Sequence, residues 1–339
     1  MLNTETQLES YLSEPTDEVI AAIAALEGDI LILGVGGKMG PTLAKQAKRA
    51  IDRAGITKKV IGVSRFSTPN VQENLQEAGI ETITADLLSE NSLQNLPDTQ
   101  NVIFMAGRKF GSTGNESLTW AMNSYMPGRV AEKFRDSQLV VFSTGNVYPL
   151  TRISHGGSTE NSPVAPLGEY AQSCLSRERI CTHFSSQFGT PMAILRLNYA
   201  IDLRYGILLD IAEKVYTEAP ISLEMGNVNV IWQGDANAIA LRALAHCQSP
   251  PLILNVTGPE TVSVRYLASC FSAFFKKPPR FEGEEAATAL LSNASLCHQL
   301  FGYPRVSLGQ MIEWVAEWVQ INGTTLRKPT HFEVRDGKF

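Results

Sequence analysis

The chain has 339 residues, of which 29 are Lys or Arg and 34 are Asp or Glu, so its formal net charge at pH 7 is −5. This length accommodates one large domain or two fused domains, and 44% hydrophobic against 19% charged residues excludes an intrinsically disordered chain. The acidic balance and the dispersed basic residues argue against nucleic acid or a membrane as a partner, and no apolar run approaches the roughly 18 residues of a membrane span. We therefore expect a soluble, cytoplasmic globular protein.

Residues 1–27 are predicted to form a helical leader ahead of the first strand. The acidic start lacks the apolar core of a signal peptide. Thr16 supplies a capping oxygen, and Asp17 and Glu18 favour the positive end of the dipole of a helix that runs to Leu26. The leader is therefore interpreted as a structural element and not as a targeting signal.

Residues 28–200 are predicted to form an α/β domain with a Rossmann-type doubly wound parallel sheet, because apolar runs rich in Ile and Val alternate with helical patterns. The runs are continuous, as expected for strands covered by helices on both faces. The expected strands are residues 29–34, 59–63, 80–84, 101–105, 138–143 and 192–197. The expected helices are residues 38–54, 69–78, 115–136 and 169–188.

Residues 201–325 are predicted to form a smaller α/β substrate-binding lobe, interleaved with the sheet, because the regular alternation loosens after Leu197. The expected helices are residues 205–217, 235–246, 264–275 and 311–320, and the expected strands are residues 228–232 and 252–256. Residues 326–339 form a polar tail for which the sequence predicts no structure or role.

A glycine-rich turn stands directly between the first strand and the first helix of the sheet. Gly34 permits a tight turn, Gly36 or Gly37 allows backbone N–H groups to approach a pyrophosphate, and Gly40 allows the helix to pack closely on the strand. The amino end of that helix then faces the anion. The turn therefore predicts a dinucleotide site that includes Gly34, Gly36, Gly37, Lys38, Met39 and Gly40.

The end of the second strand bears on the type of dinucleotide. Ser64 stands where an NAD enzyme would place an acid for the ribose hydroxyls, and the neighbouring Arg65 can pair with a 2′-phosphate. NADP is therefore slightly preferred over NAD, with a solvated Arg65 as the alternative interpretation. The residues expected to line the adenine site are Asp86 and Leu87 after the third strand, and Ala106 and Gly107 after the fourth.

Seven segments, in order, resemble the extended short-chain dehydrogenase/reductases, also called NAD-dependent epimerase/dehydratases. They are residues 34–40, 123–128, 142–148, 159–170, 194–198, 254–258 and 300–304. The resemblance implies that Thr144 binds the substrate oxygen, that Tyr170 is the proton acid/base, and that Asn123 is a structural or relay residue. It also implies hydride transfer to or from a nicotinamide and a homodimer formed through the helices at 115–136 and 169–188.

The lysine of this family is missing, because Cys174 stands four residues after Tyr170 on the same helix face. In the family this lysine holds the nicotinamide ribose and lowers the pKa of the tyrosine. A tyrosine with an ordinary pKa of about 10 is ionised to about one part in a thousand at pH 7. Arg177, one turn further on, is a possible substitute cation that the sequence alone does not place.

The substrate is predicted to be a sugar, a sugar acid or a related hydroxy compound, contacted by Asn198 and Arg204. Residues 226–235 lack the basic residue that nucleotide-sugar enzymes of the family carry there. Arg204 could bind a substrate carboxylate or phosphate, or be solvated, and His155 lies in a loop expected at the edge of the site. No His, Cys or carboxylate cluster has metal-ligand spacing, so no metal is expected.

Two functions remain open from the sequence. The first is an NAD(P)-dependent epimerase, dehydratase or dehydrogenase that uses Thr144 and Tyr170, and the second is a catalytically weakened NAD(P)-binding sensor or scaffold, which Cys174 makes plausible. The five cysteines are expected to be reduced, buried thiols, and Cys174 and Cys181 lie about 10.5 Å apart along one helix, too far for a disulfide.

Overall fold

The computed structural model describes residues 2–109, 111, 113–328 and 330–338. In chain order its strands are β1 (Ile30–Leu33), β2 (Val60–Ser64), β3 (Glu81–Thr84), β4 (Asn101–Phe104), β5 (Gln138–Thr144), β6 (Thr151–Arg152), β7 (Met192–Leu197), β8 (Ala200–Ile201), β9 (Pro220–Ser222), β10 (Asn227–Val228), β11 (Ile231–Trp232), β12 (Leu252–Val256), β13 (Val262–Ser263), β14 (Arg280–Glu282) and β15 (Thr288–Ala289).

The α-helices are, in chain order, α1 (Glu5–Leu12), α2 (Asp17–Ala25), α3 (Gly40–Ala54), α4 (Val71–Glu77), α5 (Glu90–Gln94), α6 (Glu116–Trp120), α7 (Met126–Lys133), α8 (Gly168–Phe188), α9 (Ile207–Thr217), α10 (Gln233–Ala243), α11 (Val264–Phe275), α12 (Ser295–Phe301) and α13 (Leu308–Gln320). A π-helical turn, Ala121–Tyr125, joins α6 to α7. Short 3₁₀ turns are Gly145–Val147, Ile153–His155 and Leu244–His246.

Seven parallel strands form the central sheet, in the order β12-β7-β5-β4-β1-β2-β3. Ile30 on β1 stands opposite Val60 on one side and Asn101 on the other. The predicted doubly wound sheet is therefore confirmed, with its first six strands within one residue of the expected bounds. Residues 252–256 were expected in the later lobe, but β12 pairs with β7 and completes the sheet.

The two faces of the sheet are covered by different helices. On β1, Ile30 and Ile32 pack with the apolar faces of α2, α3 and α10, whereas Leu31 and Leu33 pack with α7 and α8. This alternation follows from the period-two geometry of a strand, and burial on both faces explains why the strand reads as a continuous apolar run.

A separate apolar core lies beside the sheet in the later part of the chain. It joins α9, α11 and α13 with Leu8 and Leu12 of α1 and with Phe332 of the tail, which is 2% exposed. The tail is thus ordered: the backbone N–H and hydroxyl of Thr330 donate to the Asp210 carboxylate at 2.9 and 2.5 Å. The polar sequence of the tail gives no indication of this order.

Three predicted elements differ from the structure in detail. The leader holds two helices, and Thr16 caps the second by accepting a hydrogen bond from the Val19 N–H at 3.4 Å, as expected. The expected helix at 115–136 contains the π-helical turn. The expected strand at 228–232 is divided into β10 and β11, and between them the side-chain amide of Asn229 donates to the Glu260 carbonyl at 2.9 Å.

All five cysteines are free thiols, of which Cys174, Cys181 and Cys297 are buried and Cys247 and Cys270 are partly exposed. Within the described residues, no group of three or more His, Cys, Asp or Glu side chains is arranged to hold a metal ion. None of the helices in the described part of the chain is long and apolar enough to cross a bilayer.

Candidate functional site

A cavity of about 890 Å³ opens beside the carboxyl ends of the central strands. Its wall is formed by the turn after β1, the ends of β5 and β7, the first turn of α8 and the tail. The predicted site residues that line it are Gly36, Gly37, Lys38, Met39, Gly107, Thr144, Tyr170, Asn198 and Arg204. The structure therefore brings the glycine-rich turn and the Thr144–Tyr170 pair to one cavity.

The glycine-rich turn has no room for side chains at its key positions. Gly34 has a φ of +92°, and a Cβ there would lie 2.6 Å from the backbone nitrogen of Ala106. A Cβ on Gly36 would lie 2.5 Å from the Ser64 hydroxyl, and one on Gly40 would overlap the Val35 carbonyl. The turn thus packs tightly between β2 and β4 and directs the amino end of α3 toward the cavity.

The remaining predicted cofactor residues surround this turn without lining the cavity. Ala106 packs against Gly34, and Leu87 is buried in the core. Ser64 ends β2, and the exposed Arg65 follows it. The Asp86 carboxylate stabilises its own turn by accepting from the Leu88 N–H at 3.0 Å.

Lys38 crosses from the glycine-rich turn to the opposite wall. Its ammonium donates to the Ala200 carbonyl at 3.0 Å and lies 4.0 Å from the centroid of the Tyr205 ring. Burial lowers the pKa of Lys38 to about 8, an effect that Asp202 partly opposes. The sequence placed Lys38 in the site but did not indicate this contact, which joins residues more than 160 positions apart.

Thr144 and Tyr170 form the hydroxyl pair that the sequence predicts. Thr144 ends β5, Tyr170 lies in the first turn of α8, and their hydroxyls are hydrogen-bonded. The Asn146 side-chain amide and backbone N–H donate to the Thr144 hydroxyl at 2.9 and 3.2 Å. Burial raises the pKa of Tyr170 well above its usual value and Cys174 raises it further, while the Thr144 hydrogen bond and Arg177 oppose the increase.

Cys174 brings no positive charge to the site. Its side chain is buried, and burial raises the pKa of its thiol, so it is neutral at pH 7. The guanidinium of Arg177, the substitute cation considered from the sequence, is held by backbone and side-chain oxygens beneath the cavity, and its charge lowers the pKa of Tyr170 from there. It donates to the Phe142 carbonyl at 2.6 Å and to the backbone and side-chain oxygens of Asn123 at 3.2 and 3.0 Å.

Asn123 lies in the π-helical turn and is fully buried beneath the cavity. Its carboxamide accepts from the Arg108 N–H at 2.8 Å and donates to the Arg108 carbonyl at 2.8 Å and the Ser173 hydroxyl at 3.0 Å. These contacts fix the loop after β4 against α8. The structural or relay role of Asn123 in the reaction stays a prediction.

Arg204 and Asn198 both line the cavity, but only the Arg204 side chain is paired with carboxylates. The Arg204 guanidinium forms ion pairs with Glu9 at 2.8 Å and Asp202 at 3.0 Å, so both carboxylates compete with any substrate anion. The Asn198 amide nitrogen is buried and has no hydrogen-bond partner among the described residues. His155 is exposed in a 3₁₀ turn outside the cavity.

A buried polar network supports the site from below and was not found from the sequence. Arg196 on β7 pairs with Glu178 on α8 at 2.7 Å and donates to the Tyr148 hydroxyl at 2.7 Å. The Tyr148 hydroxyl donates to Asn255 on β12 at 2.8 Å, and the Ser143 hydroxyl donates to Glu178 at 2.5 Å. The network ties α8 to three neighbouring strands.

Lys109 is a further cavity residue, and it belongs to none of the motifs in the sequence. Its ammonium lies 5.9 Å from the centroid of the Tyr170 ring. Burial lowers the pKa of Lys109 to about 8, while its interaction with Cys174 raises it. The available signal was its place two residues after Gly107, at the end of the fourth strand.

Comparison with known proteins agrees with this geometry. The model of the NAD dependent epimerase/dehydratase family matches residues 30–201. A Bacillus subtilis protein named as an uncharacterized UDP-glucose epimerase is 28% identical over 182 residues, which are 49% of this chain and 55% of that protein. The match thus spans about half the length of the curated relative.

Solved structures share the fold over most of the chain. The UDP-glucuronic acid 4-epimerase of Bacillus cereus, in complex with UDP-glucuronic acid and NAD, has a TM-score of 0.71 at 19% identity, over 86% of this chain and 99% of that one. The UDP-glucose 4-epimerase of Thermus thermophilus with NAD has a TM-score of 0.69 at 18% identity, over 86% and 99%. The UDP-glucose 4-epimerase of Thermotoga maritima with UDP-glucose has a TM-score of 0.70 at 16% identity, over 87% and 99%.

Proposed function

Because this chain belongs to the NAD-dependent epimerase/dehydratase family, we propose that it is an NAD(P)-dependent epimerase or oxidoreductase acting on a hydroxyl of a sugar, a sugar acid or a related compound. The observation that carries this proposal is the Thr144–Tyr170 hydroxyl pair, which faces the same cavity as the glycine-rich turn. A protein that only binds a dinucleotide has no need of both features in one cavity.

The residues present fit a nicotinamide dinucleotide. Gly36 and Gly37 expose backbone to the cavity, and the amino end of α3 directs its dipole there. Lys38 brings a cation to the same region, and Gly107 lines the opposite side. When bound, the nicotinamide group supplies a hydride acceptor or donor.

The proton chemistry belongs to this chain's own hydroxyls. Thr144 orients the substrate oxygen by hydrogen bonding, the Tyr170 phenolate takes the hydroxyl proton when that oxygen becomes a carbonyl, and the resulting Tyr170 hydroxyl returns the proton in the reverse direction. The hydrogen bond to Thr144 favours the ionised form of Tyr170, whereas burial disfavours it. Asn146 holds Thr144 in place.

The substrate is proposed to be a neutral or acidic sugar derivative. Asn198 has an unused amide donor at the cavity, which suits a hydroxyl or carbonyl oxygen. The segment at 226–235 carries no basic residue, so a nucleotide diphosphate would need another cation. The similar proteins named for UDP-glucose and UDP-glucuronic acid make these two compounds the first to test.

NADP is proposed in slight preference to NAD. Arg65 is exposed at the carboxyl end of β2 and follows Ser64, which stands where an NAD enzyme would place an acid for the ribose hydroxyls. The similar solved structures contain NAD. Calorimetric titration with NAD and NADP, repeated on Arg65→Ala, decides between the two: a phosphate contact requires that the variant lose affinity for NADP alone.

The experiment that tests the function measures substrate-dependent change in NAD(P)H absorbance, and product epimers by chromatography, with the wild type and Tyr170→Phe. The phenylalanine lacks the hydroxyl that carries the proton, so we expect turnover to fall by at least about 100-fold while cofactor binding persists. Turnover that survives in Tyr170→Phe contradicts the proposed mechanism.

A sensor or scaffold is the second candidate, favoured by the neutral, buried Cys174 at the lysine position. This alternative predicts dinucleotide binding without turnover of any tested sugar and no effect of Tyr170→Phe on a partner interaction. The same set of assays therefore separates the two functions.

We also propose a cytoplasmic homodimer that uses α7 and α8. Tyr125, at the start of α7, is 59% exposed, and Phe188, at the end of α8, is 36% exposed, which leaves aromatic surface on both elements. The five free thiols are compatible with a reducing compartment. Sedimentation velocity of the wild type and of Tyr125→Asp tests the interface, since a buried charge there should favour the monomer.

A further inference from the structure

We propose that Lys109, from the loop after β4, supplies to Tyr170 the positive charge that position 174 lacks. The proposal rests on the proposed function and adds a residue to it. The Lys109 ammonium lies 5.9 Å from the centroid of the Tyr170 ring, and both residues line the cavity with Thr144. The cation thus approaches the tyrosine from the facing loop, whereas Cys174 lies below it on its own helix.

The loop that carries Lys109 is fixed from beneath. Asn123 binds both the N–H and the carbonyl of Arg108, each at 2.8 Å, and so holds the residue immediately before Lys109. Gly107 lies so close to the Arg177 guanidinium that a Cβ there would stand 2.7 Å from its nitrogen. These contacts set the direction in which the lysine leaves the loop.

The charge of Lys109 is suited to this role. With a pKa of about 8 its amine is mostly protonated at pH 7. A positive charge close to a tyrosine favours the phenolate form and so acts against the rise in pKa that burial causes. Lys109 also lowers the pKa of the Cys174 thiol, which places the cation beside the position where the family's lysine would stand.

Two other cations lie near the pair. Lys38 donates to the Ala200 carbonyl on the opposite wall, and Arg177 donates to Phe142 and Asn123 beneath the cavity, from where its charge lowers the pKa of Tyr170. Lys109 adds a further positive charge that lies close to the tyrosine ring in the lining of the cavity.

The test is calorimetric titration with NADH and NADPH of the wild type, Lys109→Met, Lys109→Arg and the double variant Lys109→Met/Cys174→Lys, with Lys59→Met as the surface control. We expect Lys109→Met to weaken binding of the preferred cofactor about 10-fold, and Lys109→Arg to stay within about threefold of the wild type. The double variant should recover affinity, because it returns the cation to the helix. Where turnover is detected, Lys109→Met should lose about 10- to 100-fold at pH 7.

The outcomes separate this inference from the proposed function. A wild type that binds neither dinucleotide overturns both. A wild type that binds, together with a Lys109→Met variant of equal affinity, overturns the role of Lys109 alone. Recovery in Lys109→Arg and in the double variant, with melting temperatures no lower than that of the wild type, supports a role for charge and excludes a folding defect.

A second readout needs neither substrate nor cofactor. Reductive ¹³C-methylation of the lysines gives one NMR signal for each amine, and the Lys109 signal is identified by its loss in Lys109→Arg. A titration midpoint near 8 supports the buried position beside Tyr170. A midpoint near the ordinary lysine value of about 10.4 would place the amine in solvent and overturn the proposal.

Discussion

Burying the charged side chain of Lys109 lowers the free energy of unfolding of the protein. Burial lowers its pKa to about 8, so the folded protein holds the Lys109 proton less tightly than the unfolded chain does. Between pH 8 and about 10.4 the unfolded state binds more protons at this site, and the free energy of unfolding rises with pH. Below pH 8 the full penalty for burying the charge is present.

Removing this charge should therefore stabilise the fold at neutral pH. We expect Lys109→Met to raise the free energy of unfolding by about 1–3 kcal/mol at pH 7, and the gain to disappear as the pH rises through the interval from 8 to about 10.4. Urea denaturation at both ends of that interval measures the difference. Lys59→Met, at an exposed site, should change stability little at either pH, and a destabilised Lys109→Met would contradict the expectation.

Contacts between a lysine or arginine side chain and a group far away in the chain are the residue-level features that could not be predicted from the sequence. Thr144 and Tyr170 were predictable because each stands in a recognisable local motif. Lys109 lies in no motif, and the partners of Arg204 were hidden because Glu9 is 195 positions away. Long side chains can contact residues that are distant in the sequence, so their partners are known only once the structure is known.

At the scale of elements, the π-helical turn determines how the loop after β4 meets α8. The extra residue in this turn directs Asn123 inward, where one carboxamide binds Arg108, Ser173 and Arg177. The sequence predicts a regular helix over 115–136, and its apolar spacing does not reveal the change of direction at this turn. The helix could therefore be predicted from its periodicity, but the π-helical turn that positions Asn123 could not.

Asn123→Ala should loosen this junction. The substitution leaves the Arg108 backbone and part of the Arg177 guanidinium without their partner, so we expect a loss of about 2–4 kcal/mol in the free energy of unfolding. Urea denaturation measures the loss, and hydrogen exchange should show reduced protection of the Arg108 N–H. Asn115→Ala is the matched control, since Asn115 precedes α6 without a side-chain capping bond; equal losses in the two variants would contradict a special role for Asn123.

The positions of the strands in the sequence were easier to predict than the pairing of each strand within the sheet. Burial on both faces leaves a continuous apolar run, which a short window of sequence contains in full. The pairing of β12 with β7 depends instead on the chain returning to the sheet after about 55 residues of other structure. Residues 252–256 alone do not indicate which strand they pair with.

For the whole molecule, the tail and the first helix join two separate stretches of chain into one core. Leu8 and Leu12 from α1 and Phe332 from the tail pack with α9, α11 and α13. The polar composition of the tail gave no indication of this, because Phe332 is its one buried large apolar side chain among the described residues, and the Thr330 and Arg335 hydrogen bonds reach partners far away in the chain. The ends of the described chain are therefore part of the lobe that borders the cavity.

Phe332→Ala tests that packing. Truncating a fully buried phenylalanine costs about 3–5 kcal/mol, so the midpoint of urea denaturation should fall clearly. Ile321→Ala, at a position that is 48% exposed, is the control and should lose less than about 1 kcal/mol. Similar small losses in both variants would mean that the tail does not pack in solution as described.

The order of the sheet also has a consequence for synthesis on the ribosome. When residues 30–201 have emerged, β7 still presents an unpaired apolar edge, because its neighbour Leu252–Val256 is made later. Such an edge attracts other strands, including those of other nascent chains. A fragment that ends at residue 201 should therefore aggregate. The growing chain should depend on a chaperone until β12 has been synthesised and has paired with β7.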